Sequence, residues 1–250
     1  MIEFEQVRRS YGDRVAVDCL NLRVAAGELY SLLGHNGAGK TTTIRLLVGL
    51  LRPESGKIRV GGYDVVTEAR LATSLIGYVP DQPFLYEKLT GREFLQFVAQ
   101  MHGLDATHAT RAVDREIERF ELAEFADDLA EQYSHGMKQR TVFASAMLNS
   151  PRALVLDEPL VGLDPHSIRL VKDLLCAEGR TGMGVLMSTH TLATAEEISH
   201  RVGIMSHGKL LFDGTIAELR QRFPGGQQSL ESMYLAMTEG PPQTVGPSNS

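Results

Sequence analysis

The stretch ELYSLLGHNGAGKTTTIRLLVGLL, residues 28–51, decides the fold. It joins a short apolar run, a glycine-rich turn and a helical pattern, in that order. ELYSLLG (28–34) reads as a buried strand. GHNGAGKT (34–41) fits G-x-x-x-x-G-K-[ST]. Gly34, Gly37 and Gly39 let the chain wrap closely around phosphates with its amides pointing inward, and His35, Asn36 and Ala38 lie between them. A helix predicted over 41–51, stopping at Pro53, adds a positive dipole end behind the loop. Lys40 would then reach the β- and γ-phosphates of a nucleotide, Thr41 would ligate Mg²⁺, and Thr42 beside it would belong to the nucleotide site.

Such a loop needs acids at the same sheet edge. RALVLDEP (152–159) reads as a buried strand, so Asp157 and Glu158 emerge at its carboxyl end, where ligands of open α/β sheets bind. Asp157 should hold Mg²⁺ through water. Glu158 can accept a proton from an attacking water, or orient it. GVLMSTH (184–190) is a further strand ending in His190, placed to hydrogen-bond a γ-phosphate.

YSHGMKQR (133–140) raises a different question. Ser134 and Gly136 suit a helix start, yet Lys138 and Arg140 stand where the helix dipole disfavours cations. An anion bound there would explain them, whether it belongs to this chain or to another.

Between these motifs a helical lobe is expected over about residues 84–150. Thr90 and Glu93 form a capping box, with Leu89 and Phe94 as a hydrophobic staple. Phe94, Phe97, Val98 and Met101 fall on one helical face and read as core packing, with Gly103 as the stop. A second helix is expected around 108–121, with Val113, Ile117 and Phe120 inward. Residues 1–27 read as short strands, and IMSHGKLLF (204–212) as a hairpin turning at His207-Gly208. PGGQQS and PPQTVGPSNS, within a tail over 221–250, read as partly disordered.

Lys and Arg total 25 against 31 Asp and Glu, a formal net charge of −6, which argues against nucleic-acid binding. The two cysteines have neither disulfide nor metal spacing. There is neither a signal peptide nor an apolar run of about 20 residues, so a cytoplasmic location is expected.

Five motifs in this order, GHNGAGKT, YSHGMKQR, ALVLDEP, VGLDP (161–165) and STH (188–190), resemble the nucleotide-binding subunit of an ABC transporter, over nearly the whole chain to about residue 220. The fold implied is α/β: a P-loop NTPase core with a mainly parallel sheet flanked by helices, an N-terminal antiparallel β subdomain and an inserted helical lobe. The domain would cover 1–220.

The resemblance implies ATP and Mg²⁺ as ligands, Tyr11 stacked on adenine, His190 as switch histidine and Asp164 contacting an opposite subunit. It also implies that Ser134, His135, Gly136 and Met137 cap ATP held by a second chain, so that two subunits, identical or not, pair head to tail. An integral membrane permease would be the partner, placing the chain at the inner face of the cell membrane. The spelling SHGMKQR with GYVPD resembles subunits of export-type, ABC-2-like systems. A soluble ATPase of the same kind acting on nucleic acid or ribosomes, and a weakly hydrolysing nucleotide sensor, are the alternatives.

Two departures bear on the site. The signature is usually L-S-G-G-Q, but here Tyr133, His135 and Met137 replace Leu, the first Gly and Gln. If the first Gly needs positive φ, His is among the less unfavourable replacements. Where the family has a metal-linking Gln after proline, this chain has Asp81, with Gln82 next; either can serve.

Overall fold

The computed structural model describes residues 1–223 and 229–238. In chain order the elements are β1 (Ile2–Tyr11), β2 (Arg14–Val24), β3 (Leu29–Leu33), α1 (Lys40–Leu47), β4 (Ser55–Val60), β5 (Tyr63–Asp64), α2 (Ala69–Ser74), β6 (Ile76–Val79), α3 (Gly91–Met101), α4 (Ala106–Arg119), α5 (His135–Met147), β7 (Ala153–Asp157), α6 (Pro165–Arg180), β8 (Gly184–Thr189), α7 (Leu192–Ile198), β9 (Arg201–Ser206), β10 (Lys209–Gly214), α8 (Ile216–Gln221) and α9 (Leu230–Thr238).

Every residue of β3, β7 and β8 is buried. Strands apolar on both faces belong in the middle of a parallel sheet covered on both sides. They lie side by side in the six-stranded order β10-β9-β3-β8-β7-β6. All neighbours there are parallel except the β9–β10 hairpin, which turns at His207-Gly208. In β1 and β2 the apolar residues alternate instead: Ile2, Phe4, Leu20, Leu22 and Val24 are buried and their neighbours more exposed. These two strands pair in a four-stranded antiparallel sheet, β2-β1-β4-β5. They run for 10 and 11 residues rather than as short pieces, because bulges around Gln6 and Cys19 let one long ribbon keep twisting. One hydrophobic core joins this sheet to one face of the parallel sheet, and a second joins the helical lobe to the other face.

In the lobe, Thr90 and Glu93 make the reciprocal capping box. The inward face of α3 differs from the expected stripe. Phe94 is buried together with Gly91, Leu95 and Ala99, whereas Phe97 and Met101 face solvent, Met101 being 73% exposed. Small residues at Gly91 and Ala99 let neighbouring chain approach, and the larger side chains are turned out. α4 starts from an Asp105 cap. Its last residue leads to Phe120, stacked on Phe143 of α5 with ring centroids 6.0 Å apart.

α1 ends at Leu47, short of the expected 51. Gly49, at φ 79°, takes the left-handed stop before Pro53 is reached. Of the tail, α9 is an ordered helix whose Leu230 and Met233 are buried against α7 and α8. Residues 224–228 and 239–250, where most of the expected disorder falls, lie outside the described residues.

Candidate functional site

β3 delivers the chain into residues 34–39, and α1 begins at Lys40. Gly37 and Gly39 have φ of 84° and 114°; a Cβ on Gly39 would collide with the Ala16 carbonyl and Met205. Only glycine fits there. The turn between β9 and β10 braces the loop from behind, Gly208 N–H donating to Ala38 O at 2.8 Å. The amides of Gly37, Gly39, Lys40 and Thr41 donate to no other described residue. A ring of free amides at a helix start is a cradle for an anion.

A cleft of about 460 Å³ opens over this loop. Its walls include Tyr11, His35, Asn36, Gly37, Gly39, Lys40, Thr41, Thr42, Asp81 and Glu158, most of the residues expected around this chain's own nucleotide. Gly34 and Ala38 stand behind the lining; the Gly34 carbonyl accepts from Lys40 Nζ at 2.6 Å. Lys40, only 5% exposed, also lies 3.3 Å from Glu158 Oε1. Glu158 Oε2 is in turn 2.9 Å from His190 Nδ1 and accepts the His190 amide at 3.3 Å. Lys40, Glu158 and His190 thus form one connected chain.

Glu158 sits just beyond β7 at φ 47°, a left-handed backbone costly for a residue with a Cβ. It is held there by its own N–H, which donates to Ser188 O at 3.2 Å and Ser188 Oγ at 3.1 Å. The same hydroxyl donates to Asp157 Oδ1 at 2.5 Å, and Thr41 Oγ1 does so at 3.3 Å. Burial raises the Asp157 pKa; those two hydrogen bonds oppose the rise, and the charges of Asp81 and Glu158 add to it. Its second oxygen, Oδ2, is buried without a hydrogen-bond partner. Asp81 belongs to the cleft wall, whereas Gln82 does not line it. Burial, then Asp157 and Asp81, push the nearby Tyr78 hydroxyl up to about 12.

Three neighbours escaped the sequence reading. Arg14, at the start of β2, lines the cleft and donates from Nη2 to Gly37 O at 3.2 Å. Arg9 lies over the Tyr11 ring at 5.3 Å, occupying one of its faces. Ser188 had a visible signal: it lies two residues before His190 on the same buried strand.

The segment 133–137 lies elsewhere, and no part of it lines the cleft. Ser134 caps α5 by accepting the Met137 amide at 3.3 Å. His135 occupies the first turn of that helix without positive φ, so the first-glycine position imposes no left-handed backbone here. Its Nε2 is 3.2 Å from Val161 O. Tyr133 is buried, its hydroxyl donating to Phe125 O at 2.6 Å and accepting from the Gly91 amide. A tyrosine where the family has leucine thereby ties the signature to α3 through its hydroxyl. A Cβ on Gly136 would stand 3.6 Å from Asp164 Oδ2, so the signature turn and Asp164 share one surface patch. Asp164 caps α6 through the amides of His166 and Ser167. Arg140 is not held for an anion. Its guanidinium donates to the Phe120 and Glu121 carbonyls at the end of α4 and lies over Phe125.

A glycine-rich loop between a central parallel strand and a helix, facing two acids at the end of β7, one strand removed in the same sheet, defines a P-loop nucleoside triphosphatase. The family profile described as ABC transporter matches residues 17–161. The chain is 38% identical over 224 residues to the daunorubicin resistance ATP-binding protein DrrA3 of Streptomyces coeruleorubidus, covering 90% of this chain and 71% of that protein. It is 36% identical to the linearmycin resistance ATP-binding protein LnrL of Bacillus subtilis, covering 90% and 72%. A solved ATP-binding subunit of an ABC transporter superposes with a TM-score of 0.88 at 31% identity, covering 95% of this chain and 99% of that one. The chain belongs to the ABC transporter family, and it is an ATP-binding subunit.

Proposed function

We propose that this subunit hydrolyses ATP clamped between its own phosphate loop and the signature turn of a second subunit, and that the resulting motion drives export through a membrane permease. The observation that carries the chemistry is the Lys40–Glu158–His190 chain at the cleft, with Glu158 held in position by Ser188. Lys40 and the free amides take the β- and γ-phosphates. Glu158 accepts the proton of the attacking water, and His190 holds the γ-phosphate end of the site. Tyr11 offers the ring face not covered by Arg9 to adenine. Steady-state ATPase measurement on the purified chain tests this reading; no hydrolysis, alone or with a partner, overturns it.

The donors present fit Mg²⁺. The loop and the strand end offer it a hydroxyl and carboxylate oxygens, beside the phosphate oxygens of the nucleotide. Hard cations of this size are held that way. Thr41 Oγ1, Asp157 with its unpartnered Oδ2, and Asp81 would hold it. When bound, it neutralises charge on the β- and γ-phosphate oxygens.

Arg14 supplies a second cation to the same wall, on the Tyr11 side of Gly37. That position favours the α-phosphate. Arg14→Gln is expected to weaken ATP and ADP by the same factor, about tenfold for one charge-assisted contact, and to leave adenosine unaffected. Equilibrium binding of the three ligands checks it; an effect on ATP alone would place Arg14 at the γ-phosphate instead.

The permease contact is supported by an exposed cluster just past Asp81. Phe84, 69% exposed, packs edge-on against Tyr86 at 5.6 Å, and Tyr86 against Phe97 at 5.7 Å, with Met101 further along α3. Contiguous exposed aromatics mark an interaction surface. No helix of the described residues is long and apolar enough to cross a membrane. Phe84→Glu combined with Met101→Glu should abolish co-purification from solubilised membranes while leaving ATPase activity of the free chain within twofold. Export is favoured because DrrA3 and LnrL are named for resistance, and a 37% identical protein of Paraburkholderia xenovorans for Nod factor export.

A further inference from the structure

A second cleft, of about 550 Å³, lies away from the nucleotide, between α4 of the lobe and the start of β7 and end of α6 in the core. Arg111, Arg115 and Arg119 follow one another at four-residue spacing on α4, which sets them in a stripe on one face. Arg115 and Arg119 line this cleft, and Arg152 closes it from the core side. Arg111 lines a groove of about 500 Å³ that shares Arg115 and Ser150 with the cleft, so the two adjoin.

Two of these guanidiniums are fixed in place. Glu116, whose side chain is 0% exposed, takes Arg115 Nε at 2.6 Å and faces Arg119 Nη1 at 3.6 Å; Arg119 also pairs with Glu178 across the lobe–core boundary. A fully buried carboxylate is costly unless it is paired, and here it orients donors rather than leaving them to solvent. Arg111 and Arg152 make no ion pair among the described residues. Three arginines in the cleft and a fourth in the adjoining groove, against the two carboxylates of Glu116 and Glu178, are a local positive excess in a chain of net charge −6. Planar guanidinium forks match phosphate oxygens in pairs.

We propose that this cleft binds a phosphate group, of a free phosphorylated molecule or of a lipid headgroup, and so bridges the helical lobe to the ATPase core. The site is distinct from the phosphate loop and does not depend on the catalytic roles argued above.

The test keeps the nucleotide cleft filled with a non-hydrolysable ATP analogue and titrates the full chain with inorganic pyrophosphate by calorimetry. One site of submillimolar affinity is expected, weakened at least tenfold in the Arg111→Gln, Arg152→Gln double variant. Both residues are exposed, so the variant should keep its melting temperature and its affinity for the analogue. In parallel, flotation is measured with vesicles of phosphatidylcholine alone and with added phosphatidic acid. Flotation that needs phosphatidic acid and is lost in the double variant assigns the phosphate to a lipid; pyrophosphate binding without flotation assigns it to a free molecule. No saturable pyrophosphate binding and no variant-sensitive flotation, or binding that the double variant leaves unchanged, overturns the proposal.

Discussion

Glu158→Gln should lower the ATPase rate by roughly 10²–10⁴-fold, the usual contribution of a positioned general base. The same substitution should tighten ATP binding. Glu158 Oε1 lies 3.3 Å from Lys40 Nζ in a site where both side chains are largely buried, 16% and 5% exposed. An incoming γ-phosphate must therefore compete with a carboxylate for the ammonium, and it meets that carboxylate's charge besides. Glutamine keeps the shape and the reach to His190 but removes both obstacles. A gain of about tenfold in affinity corresponds to ~1.4 kcal/mol, a modest figure for relieving one repulsion at partial burial. Rapid-quench hydrolysis and equilibrium ATP binding on the same preparation measure the two effects together. If the rate is unchanged, Glu158 is not the base. If the rate falls but the affinity falls with it, Glu158 acts by shaping the loop, and its left-handed backbone becomes the feature to explain.

How far this was legible beforehand depends on what each residue relies on. Lys40, Asp157, Glu158 and His190 could be placed at one edge because each ends or follows a strand apolar enough to be central, and parallel strands bring their carboxyl ends together. The pairing among them was not legible. That Glu158 contacts Lys40 while Asp157 takes hydroxyls from Ser188 and Thr41 depends on the left-handed turn at Glu158, and nothing local in LDEP demands that turn. Arg14 was missed because its distance from Gly37 is set by how the antiparallel sheet packs over the loop. On α3, helical periodicity offered two overlapping apolar stripes sharing Phe94. Tertiary packing chose the one with Gly91, Leu95 and Ala99, and left Phe97 and Met101 outside. The choice of Asp81 over Gln82 for the cleft wall turned on one residue of register past β6, finer than pattern can resolve.

Ser134→Arg should abolish hydrolysis, by at least roughly 100-fold, while changing the ATP affinity of the isolated chain by less than twofold. Ser134 and its neighbours line no part of this chain's own cleft, so a change there has no direct route to a nucleotide held by the same loop. Yet the segment is built as a donor site. Ser134 caps α5 with its oxygen, accepting the Met137 amide, and so keeps its hydroxyl hydrogen to give to something outside the chain. The helix start behind it favours an anion. Removing one donor to a charged transition state typically costs 10²–10³ in rate, and an arginine adds bulk that stops two subunits from closing. Asp164, near Gly136 on the same patch, should share the phenotype in weaker form when replaced by Ala, because it also caps α6. ATP-dependent dimer formation, followed by light scattering in the Glu158→Gln background, separates the two ways the substitution can act. Loss of dimer with intact ATP binding places the second half of the pocket on another subunit. Loss of ATP binding in the monomer would mean that the signature serves its own nucleotide, and the sandwich would have to be abandoned even though every residue of the phosphate loop kept its place.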